Sequence, residues 1–160
     1  MKRDEAPENS AVFSGFGRVD YIDSYQITKS TDESIEKISA QIFKLPAWVN
    51  FLMKIRDALV RPFGLKGKED ESEAGGEFFT KIEQTENELV MGENDRHLNF
   101  RVSVLADRAA SLVYVTTVVR YNNKMGKVYF FFVKPFHKII VRSVMKRYGT
   151  SPDAGMRLPL

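Results

Sequence analysis

Hydrophobic and polar residues alternate in the first patterned segment of the chain, residues 19–28. A period of two places Tyr21, Asp23, Tyr25 and Ile27 on one face of a strand. Since this face combines aromatic, aliphatic and acidic side chains, the pattern predicts a strand that is only partly buried.

Two segments with helical spacing follow this strand. Isoleucines at intervals of three and four residues predict an amphipathic helix that ends at about Lys44, with Ser30 or Thr31 as its cap. Pro46 suits the first turn of a second helix, and Pro62 ends it because the residue before a proline disfavours helical geometry. The apolar stripe of the second helix consists of Trp48, Phe51, Leu52, Ile55 and Leu59.

An acidic, glycine-containing linker at 66–77 separates these helices from four segments with strand periodicity. The clearest of them is 97–105, where Leu98, Phe100 and Val102 alternate with polar residues. Short turns between successive segments predict an antiparallel meander. Its strands cover residues 78–86, 88–93, 97–105 and 111–121.

A long helix is predicted for residues 125–149, opened by Asn122 or Asn123 as a cap. A strand over 128–133 is an alternative, but helical spacing continues beyond Pro135 and favours the helix. Pro135 is expected to kink this helix, because its ring crowds the carbonyl four residues earlier. The predicted buried face contains Val128, Phe131, Phe132, Pro135, Phe136, Ile139, Ile140, Val141 and Val144.

The predicted elements follow the order strand, two helices, about four strands and a long helix. This order indicates an α+β domain of the helix-grip kind, in which a curved antiparallel sheet wraps around the C-terminal helix. We expect residues 18–149 to form this single domain. Residues 1–17 and 150–160 lack apolar periodicity and are predicted to be flexible tails.

Composition restricts the possible functions. The 160 residues include no cysteine, which excludes disulfides and thiol chemistry, and only two histidines, which makes a metal site unfavourable. The N-terminus has no apolar signal core, and no segment approaches the roughly 20 apolar residues of a membrane span. The net charge of +3 is low for a nucleic-acid-binding protein. We therefore expect a soluble, cytoplasmic protein without metal, cofactor or nucleic acid.

Four segments carry a family resemblance, namely RDALVRPFGLK (56–66), GENDRHLNFRVSV (92–104), VTTVVRYNNKMGKVYF (115–130) and VKPFHKIIVRSVM (133–145). They resemble a bacterial family catalogued as domain of unknown function 2867, and the likeness covers about residues 19–148. That family is similar to the START and polyketide-cyclase superfamily, whose members often hold a small apolar or amphipathic molecule between helix and sheet. The family has no agreed activity, so the resemblance implies a fold and not a reaction.

A ligand cavity is the preferred functional hypothesis. The chain contains 12 Phe, 6 Tyr and 1 Trp, and rigid rings that converge between sheet and helix leave gaps that accept an apolar guest. We expect a small hydrophobic or amphipathic ligand there, with polar contacts from Tyr114, Thr116 and His137. The expected ligand-binding residues are Trp48, Phe51, Phe100, Tyr114, Thr116, Phe132 and Phe136.

An enzyme of the cyclase or aromatase kind is the alternative hypothesis. Glu93 or Asp95 could orient His97 for proton transfer, and Arg101 on the same strand face could hold an anionic group. His137 is a further catalytic candidate. Alternation alone also explains the polar residues of this strand as its solvent face, and this interpretation is favoured, as is a structural role for His137.

A third hypothesis concerns the surface of the last helix. Lys134, Lys138, Arg142 and Lys146 recur every four residues and predict a basic stripe opposite the apolar face. Such a stripe suits contact with an anionic membrane or a docking partner. A solvated helix face whose charges complement the helix dipole is the favoured interpretation.

Overall fold

The structure is a computed structural model, and it describes residues 2–3, 6–45, 47, 54 and 79–151. Within these residues, six strands form one antiparallel sheet in the order β1-β2-β6-β5-β4-β3. The strands are β1 (Lys2–Arg3), β2 (Tyr21–Thr28), β3 (Thr80–Gln84), β4 (Glu88–Asn94), β5 (Leu98–Asp107) and β6 (Leu112–Tyr121). The helices are α1 (Ile35–Phe43) and α2 (Lys124–Thr150), and a short 3-10 turn covers Ala11–Phe13.

The sheet topology joins distant parts of the chain. Strands β3 to β6 form the predicted meander, and β2 pairs with β6 from Tyr21 opposite Val119 to Thr28 opposite Leu112. Both helices contact the sheet, α2 mainly at β2 and β6, and α1 at β4 and β5. The predicted α+β class, with an antiparallel sheet and a long C-terminal helix, is therefore confirmed.

Helix α1 forms for the predicted reason, although it begins later than predicted. Its buried residues include Ile35, Ile38 and Ile42, the three that define its apolar stripe. The cap is Ser34, whose side chain accepts a hydrogen bond from the Lys37 amide. Thr31 was a predicted cap, but its hydroxyl accepts from the Glu33 amide before the helix begins.

Helix α2 begins as predicted, but the predicted buried face was wrong for four residues, Val128, Phe131, Pro135 and Ile139, which are exposed. Asn123 caps the first turn by accepting from the Gly126 amide, and the helix continues through Pro135. The exposed fractions of Val128, Phe131 and Ile139 are 36%, 74% and 52%. Residues 128–133 are all apolar or aromatic, so no polar position in the sequence marks which side faces solvent. The buried residues of α2 are Gly126, Phe130, Val141, Val144, Met145 and Tyr148.

The sheet face that α1 and α2 cover, which we call the inner face, carries the main hydrophobic core. Alternate residues of each strand point to this face because the side-chain period of a strand is two. Residues from both helices complete the cluster, so α2 links β2 to α1. The core residues are Tyr25, Ile27, Ile35, Ile38, Ile42, Leu89, Val102, Val104, Ala106, Val113, Val115, Val141, Val144, Met145 and Tyr148.

The opposite, outer face of the sheet is covered in part by the segment before β2. Val12 and Phe16 are 0% and 4% exposed and pack with Val90 and Val118. The prediction that residues 1–17 form a flexible tail was therefore wrong for this segment. Two apolar residues among charged, proline and serine residues show no periodicity, so the pattern alone could not predict their burial.

A buried carboxylate fixes this segment to the sheet. Glu88, on β4, accepts hydrogen bonds from the Ser10 hydroxyl at 2.5 Å, from the Ala11 amide at 2.9 Å and from the Ser103 hydroxyl. Arg101 donates to the Ser14 carbonyl at 2.5 Å. These bonds satisfy polar groups that would otherwise be costly to bury.

Several predictions fall on residues that the structure does not describe. They concern the second helix at 46–61 apart from residues 47 and 54, the linker at 66–77 and most of the C-terminal tail, 152–160. In the described ranges, neither helix combines the length and the hydropathy that crossing a bilayer requires.

Candidate functional site

A carboxylate and an imidazole meet on the inner face. Nε2 of His137, on α2, lies 3.2 Å from Oδ1 of Asp23, on β2. The Asp23 side chain is fully buried and that of His137 is 18% exposed. An ionised carboxylate at such depth needs partners, since unpaired buried charge is strongly unfavourable. The sequence had suggested His137 as a candidate, but not Asp23 as its partner.

The path of α2 along β2 brings the two residues together. Asp23 shares the inner face with Tyr21 and Tyr25, as the alternation of β2 requires. Lys134 lies over the Tyr21 ring, with Nζ 4.8 Å from its centre, and the Arg142 guanidinium lies 5.9 Å from the centre of the Tyr25 ring. His137 lies between these two contacts along α2 and packs over Asp23.

Hydrogen bonds orient the pair. The Tyr21 hydroxyl donates to Oδ2 of Asp23 at 2.6 Å, so each carboxylate oxygen has a partner. When Nε2 of His137 carries the proton and donates it to Asp23, Nδ1 becomes the acceptor of the neutral ring. Within the described residues Nδ1 has no hydrogen-bond partner. The imidazole can therefore accept a proton from, or donate one to, a molecule bound beside α2.

Thr117 supplies a second polar group next to the pair. It is directly opposite Asp23 in the β2–β6 register, which places the two side chains roughly 5 Å apart on the same face. The Thr117 hydroxyl is buried, and it has no hydrogen-bond partner among the described residues. A buried hydroxyl without a partner costs about 1–3 kcal/mol, so a ligand group that reached it would gain a favourable contact.

Apolar side chains surround the polar cluster. Phe100 and Met91 are half-buried on the inner face, and Phe79 packs edge-on against Phe100 with ring centres 5.1 Å apart. Ile140 of α2 also packs against the main core. The inner face thus combines one polar centre with partly exposed apolar walls.

The described residues of this site supply fewer ligand-type groups than a typical metal site has. Asp23 and His137 are of ligand type, but no third His, Cys, Asp or Glu joins them within the part of the chain that the structure describes. A protein zinc site typically uses three or four such ligands.

The predicted His97 cluster has a different arrangement. Nδ1 of His97 lies 3.3 Å from the side-chain oxygen of Asn123, the residue that caps α2. Asp95 is exposed and accepts from the Arg96 amide, while Glu93 pairs across the strands with Phe100. Arg101, the fourth residue of the predicted set, points to the outer face and binds the Ser14 carbonyl. The structure therefore does not join His97 to a carboxylate among these residues.

The predicted ligand-binding residues divide between the two faces. Thr116 lies on the outer face, where its hydroxyl forms a hydrogen bond with that of Ser24 at 2.8 Å. Tyr114, two residues earlier in β6, lies on the same outer face. Phe100 lies on the inner face as predicted. Phe132 and Phe136 are half-buried, eight and four residues before Ile140 respectively, and lie on the same side of α2. Trp48 and Phe51 lie outside the described residues.

A groove of about 240 Å³ lies at the far edge of the sheet, away from the pair. Its lining is Thr80, Ile82, Gly92, Glu93 and Asn94, of which three are exposed. This mostly polar and exposed lining, on β3 and β4, does not form the enclosed apolar walls that small-molecule sites use. We therefore place the candidate site at Asp23 and His137 and not at this groove.

Two ionisable groups lie at the end of the sheet next to Tyr21. Burial raises the pKa of the Tyr121 phenol, and the negative charge of Asp20 adds to this rise. Burial alone would raise the pKa of Asp20, but the hydrogen bond from the Tyr121 amide and the charges of Arg18 and Arg120 lower it overall. Asp20 is thus an anion held by cations at the surface, unlike the buried Asp23.

Comparison with known proteins identifies the family. No curated protein matches the chain. The model of one family, described as a protein of unknown function (DUF2867), matches residues 16–144. This range includes β2 to β6, α1, most of α2 and both members of the Asp23–His137 pair. Because the match covers most of the 160 residues, the chain belongs to the DUF2867 family.

Proposed function

We propose that this protein binds a small amphipathic molecule between the inner face of the sheet and α2, with the polar end of the molecule at His137. The observation that carries the proposal is the buried Asp23–His137 contact of 3.2 Å, with the Tyr21 and Thr117 hydroxyls beside it, next to the hydrophobic core of the inner face. Burying a carboxylate and an imidazole in a core costs desolvation free energy, and ionisable groups in such surroundings are frequent at functional sites.

The polar end of the ligand is expected to carry a hydroxyl, carbonyl or carboxylate group. Nδ1 of His137 accepts from a hydroxyl when the ring is neutral and donates to a carbonyl or carboxylate when the ring is charged. The Thr117 hydroxyl adds a second contact, because it can either donate a hydrogen bond to the ligand or accept one from it. A pure hydrocarbon would leave both groups unpaired.

The apolar part of the ligand is expected to contact Phe100, Met91 and the side of α2 that carries Phe136 and Ile140. Burying the exposed part of these apolar surfaces against a ligand contributes a favourable free energy of roughly 25 cal/mol for each Å² removed from water. The layout is similar to the helix-grip arrangement of START and polyketide-cyclase domains, which supports a ligand between helix and sheet by analogy of fold. A cytoplasmic location in a bacterium belongs to the same proposal.

A panel of fatty acids, aromatic polyketides and environment-sensitive dyes tests the proposal. Binding is followed by the fluorescence of Trp48, the single tryptophan, and by the rise in melting temperature that mass action produces. We expect His137→Gln and Asp23→Asn to weaken ligands with polar ends about tenfold or more, and hydrocarbons less than about threefold.

The second histidine provides a matched control. His97→Gln changes an exposed ring that contacts Asn123, so ligand affinity should not change. The proposal is wrong if no compound in the panel shifts either signal, or if His97→Gln weakens binding as much as His137→Gln does.

A cyclase-like or aromatase-like enzyme is the second candidate function. The chain of hydrogen bonds from Tyr21 through Asp23 to His137 favours it, because a carboxylate that fixes the tautomer of a histidine prepares Nδ1 for proton transfer. Turnover of a bound carbonyl compound that His137→Gln abolishes, with affinity changed less than about threefold, would favour this candidate over simple binding.

A further inference from the structure

The solvent-facing side of α2 is a continuous stripe that is apolar in its middle and basic at both ends. Exposed positions recur with the helical period, and we call this set the outward stripe. Its apolar part extends from Val128 to Ile139, about 16 Å at 1.5 Å per residue. The outward stripe consists of Lys124, Lys127, Val128, Phe131, Pro135, Ile139, Arg142 and Lys146.

The exposed apolar side chains need an explanation. Phe131 is 74% exposed and Ile139 is 52% exposed, in a helix whose inward side is well packed. Single exposed apolar residues are ordinary, but here they lie in one row on one rigid element. Such a row is typical of a surface that another phase or molecule covers.

The charge of α2 indicates what covers the stripe. The helix contains five lysines and two arginines but no acidic residue, so all 21 acidic residues of the chain lie elsewhere. Arg147 is directed inward and donates to the carbonyls of Gln41 and Lys44, and Lys134 leans over Tyr21. Lys124, Lys127 and Lys146 remain exposed on the outward side, whereas Arg142 is exposed but its guanidinium reaches back to within 5.9 Å of the centre of the Tyr25 ring. This arrangement complements an anionic surface.

We propose that the outward stripe docks on an anionic lipid surface, with Phe131 and Ile139 inserted between headgroups. An interfacial helix combines apolar side chains that enter the bilayer with lysines and arginines that meet anionic headgroups. The stripe is a convex ridge, which suits a deformable lipid surface better than a nucleic acid, whose phosphates need basic groups where this ridge is apolar. This docking does not depend on the proposed ligand site, which faces the opposite side of α2.

Vesicle cosedimentation tests the docking. The intact chain is mixed with phosphatidylcholine vesicles, with or without roughly one third phosphatidylglycerol. We expect binding to the anionic vesicles only, and weaker binding as salt is raised towards about 1 M. Phe131→Ser with Ile139→Ser should lower the partition coefficient about tenfold or more. Lys124→Ala with Lys127→Ala and Lys146→Ala should lower it by a similar factor.

Two exposed isoleucines on strands provide matched controls. Ile82, on β3, and Ile22, on β2, are 42% and 39% exposed but lie away from α2. Ile82→Ser and Ile22→Ser should leave vesicle binding unchanged, and all variants should keep the unfolding midpoint of the parent within a few degrees.

Three results would overturn the docking proposal. The first is a parent protein that stays in the supernatant with anionic vesicles. The second is equal loss of binding in Ile82→Ser and in the Phe131 and Ile139 variant. The third is a parent protein that forms a dimer and does not bind vesicles, and that becomes a monomer when Phe131→Ser and Ile139→Ser are introduced. The stripe would then be an interface between two copies.

Discussion

Replacing Met145 with Asp is expected to destabilise the protein by about 4 kcal/mol or more, a large part of the ~5–15 kcal/mol that holds a typical domain folded. Met145 is fully buried in the cluster that joins α1, α2 and the sheet. A carboxylate at this position would lose the packing of the methionine and gain no partner. The free energy of unfolding, measured by urea denaturation, checks this value.

The matched control is Ile139→Asp in the same helix. Because Ile139 is 52% exposed, this change is expected to cost less than about 1 kcal/mol. The apolar pattern alone had placed Ile139 on the buried face, and on that basis the same substitution would cost several kcal/mol. Similar losses for the two variants would show that the face of α2 towards the sheet is assigned wrongly.

Gly126→Ala is expected to destabilise the protein by about 2–3 kcal/mol, although alanine normally stabilises a helix by about 1 kcal/mol relative to glycine. A Cβ at this position would lie 1.9 Å from the carbonyl oxygen of His97, a backbone atom in the turn between β4 and β5. The same carbonyl accepts from the Asn122 amide at 2.9 Å, so it is held in place. The helix therefore has to shift, and the unfolding midpoint should fall.

Gly149 supplies the control for this substitution. It also lies in α2, but a Cβ there would meet only the Ile27 side chain, at 3.4 Å, an ordinary contact. Gly149→Ala should leave the free energy of unfolding unchanged or raise it by up to about 1 kcal/mol. If both glycine variants gain stability, α2 does not pack against the β4–β5 turn as described.

The pattern of hydrophobic residues predicted the strands well and their faces less well. In β5 the alternation of Leu98, Phe100 and Val102 with polar residues fixes the inner face without further information. In β6 both faces are β-branched, so the pattern could not show that Thr117 points inward and Thr116 outward. A shift of one residue reverses the face of every side chain in a strand.

The candidate site shows the same limit. Asp23 was visible in the sequence as the one acidic residue among the four predicted to share a face of β2, and all four are buried. An acidic residue on this face led to the prediction of a strand that is only partly buried. The local pattern could not show that Asp23 is paired, because His137 lies 114 residues later, on α2. Local patterns do not specify which helix residue lies over which strand residue, since this depends on the path of α2 across the sheet.

Nuclear magnetic resonance of the two histidine rings tests the central claim, that His137 contacts the polar end of a bound ligand, most directly. The probe is a fatty acid or aromatic carbonyl compound that raises the melting temperature of the protein. We expect this compound to shift the ring nitrogen and carbon resonances of His137, Nδ1 above all, while those of His97 stay within the spread of a blank titration. A compound that raises the melting temperature but leaves the His137 ring resonances unmoved would contradict the claim, because the ligand would then bind elsewhere.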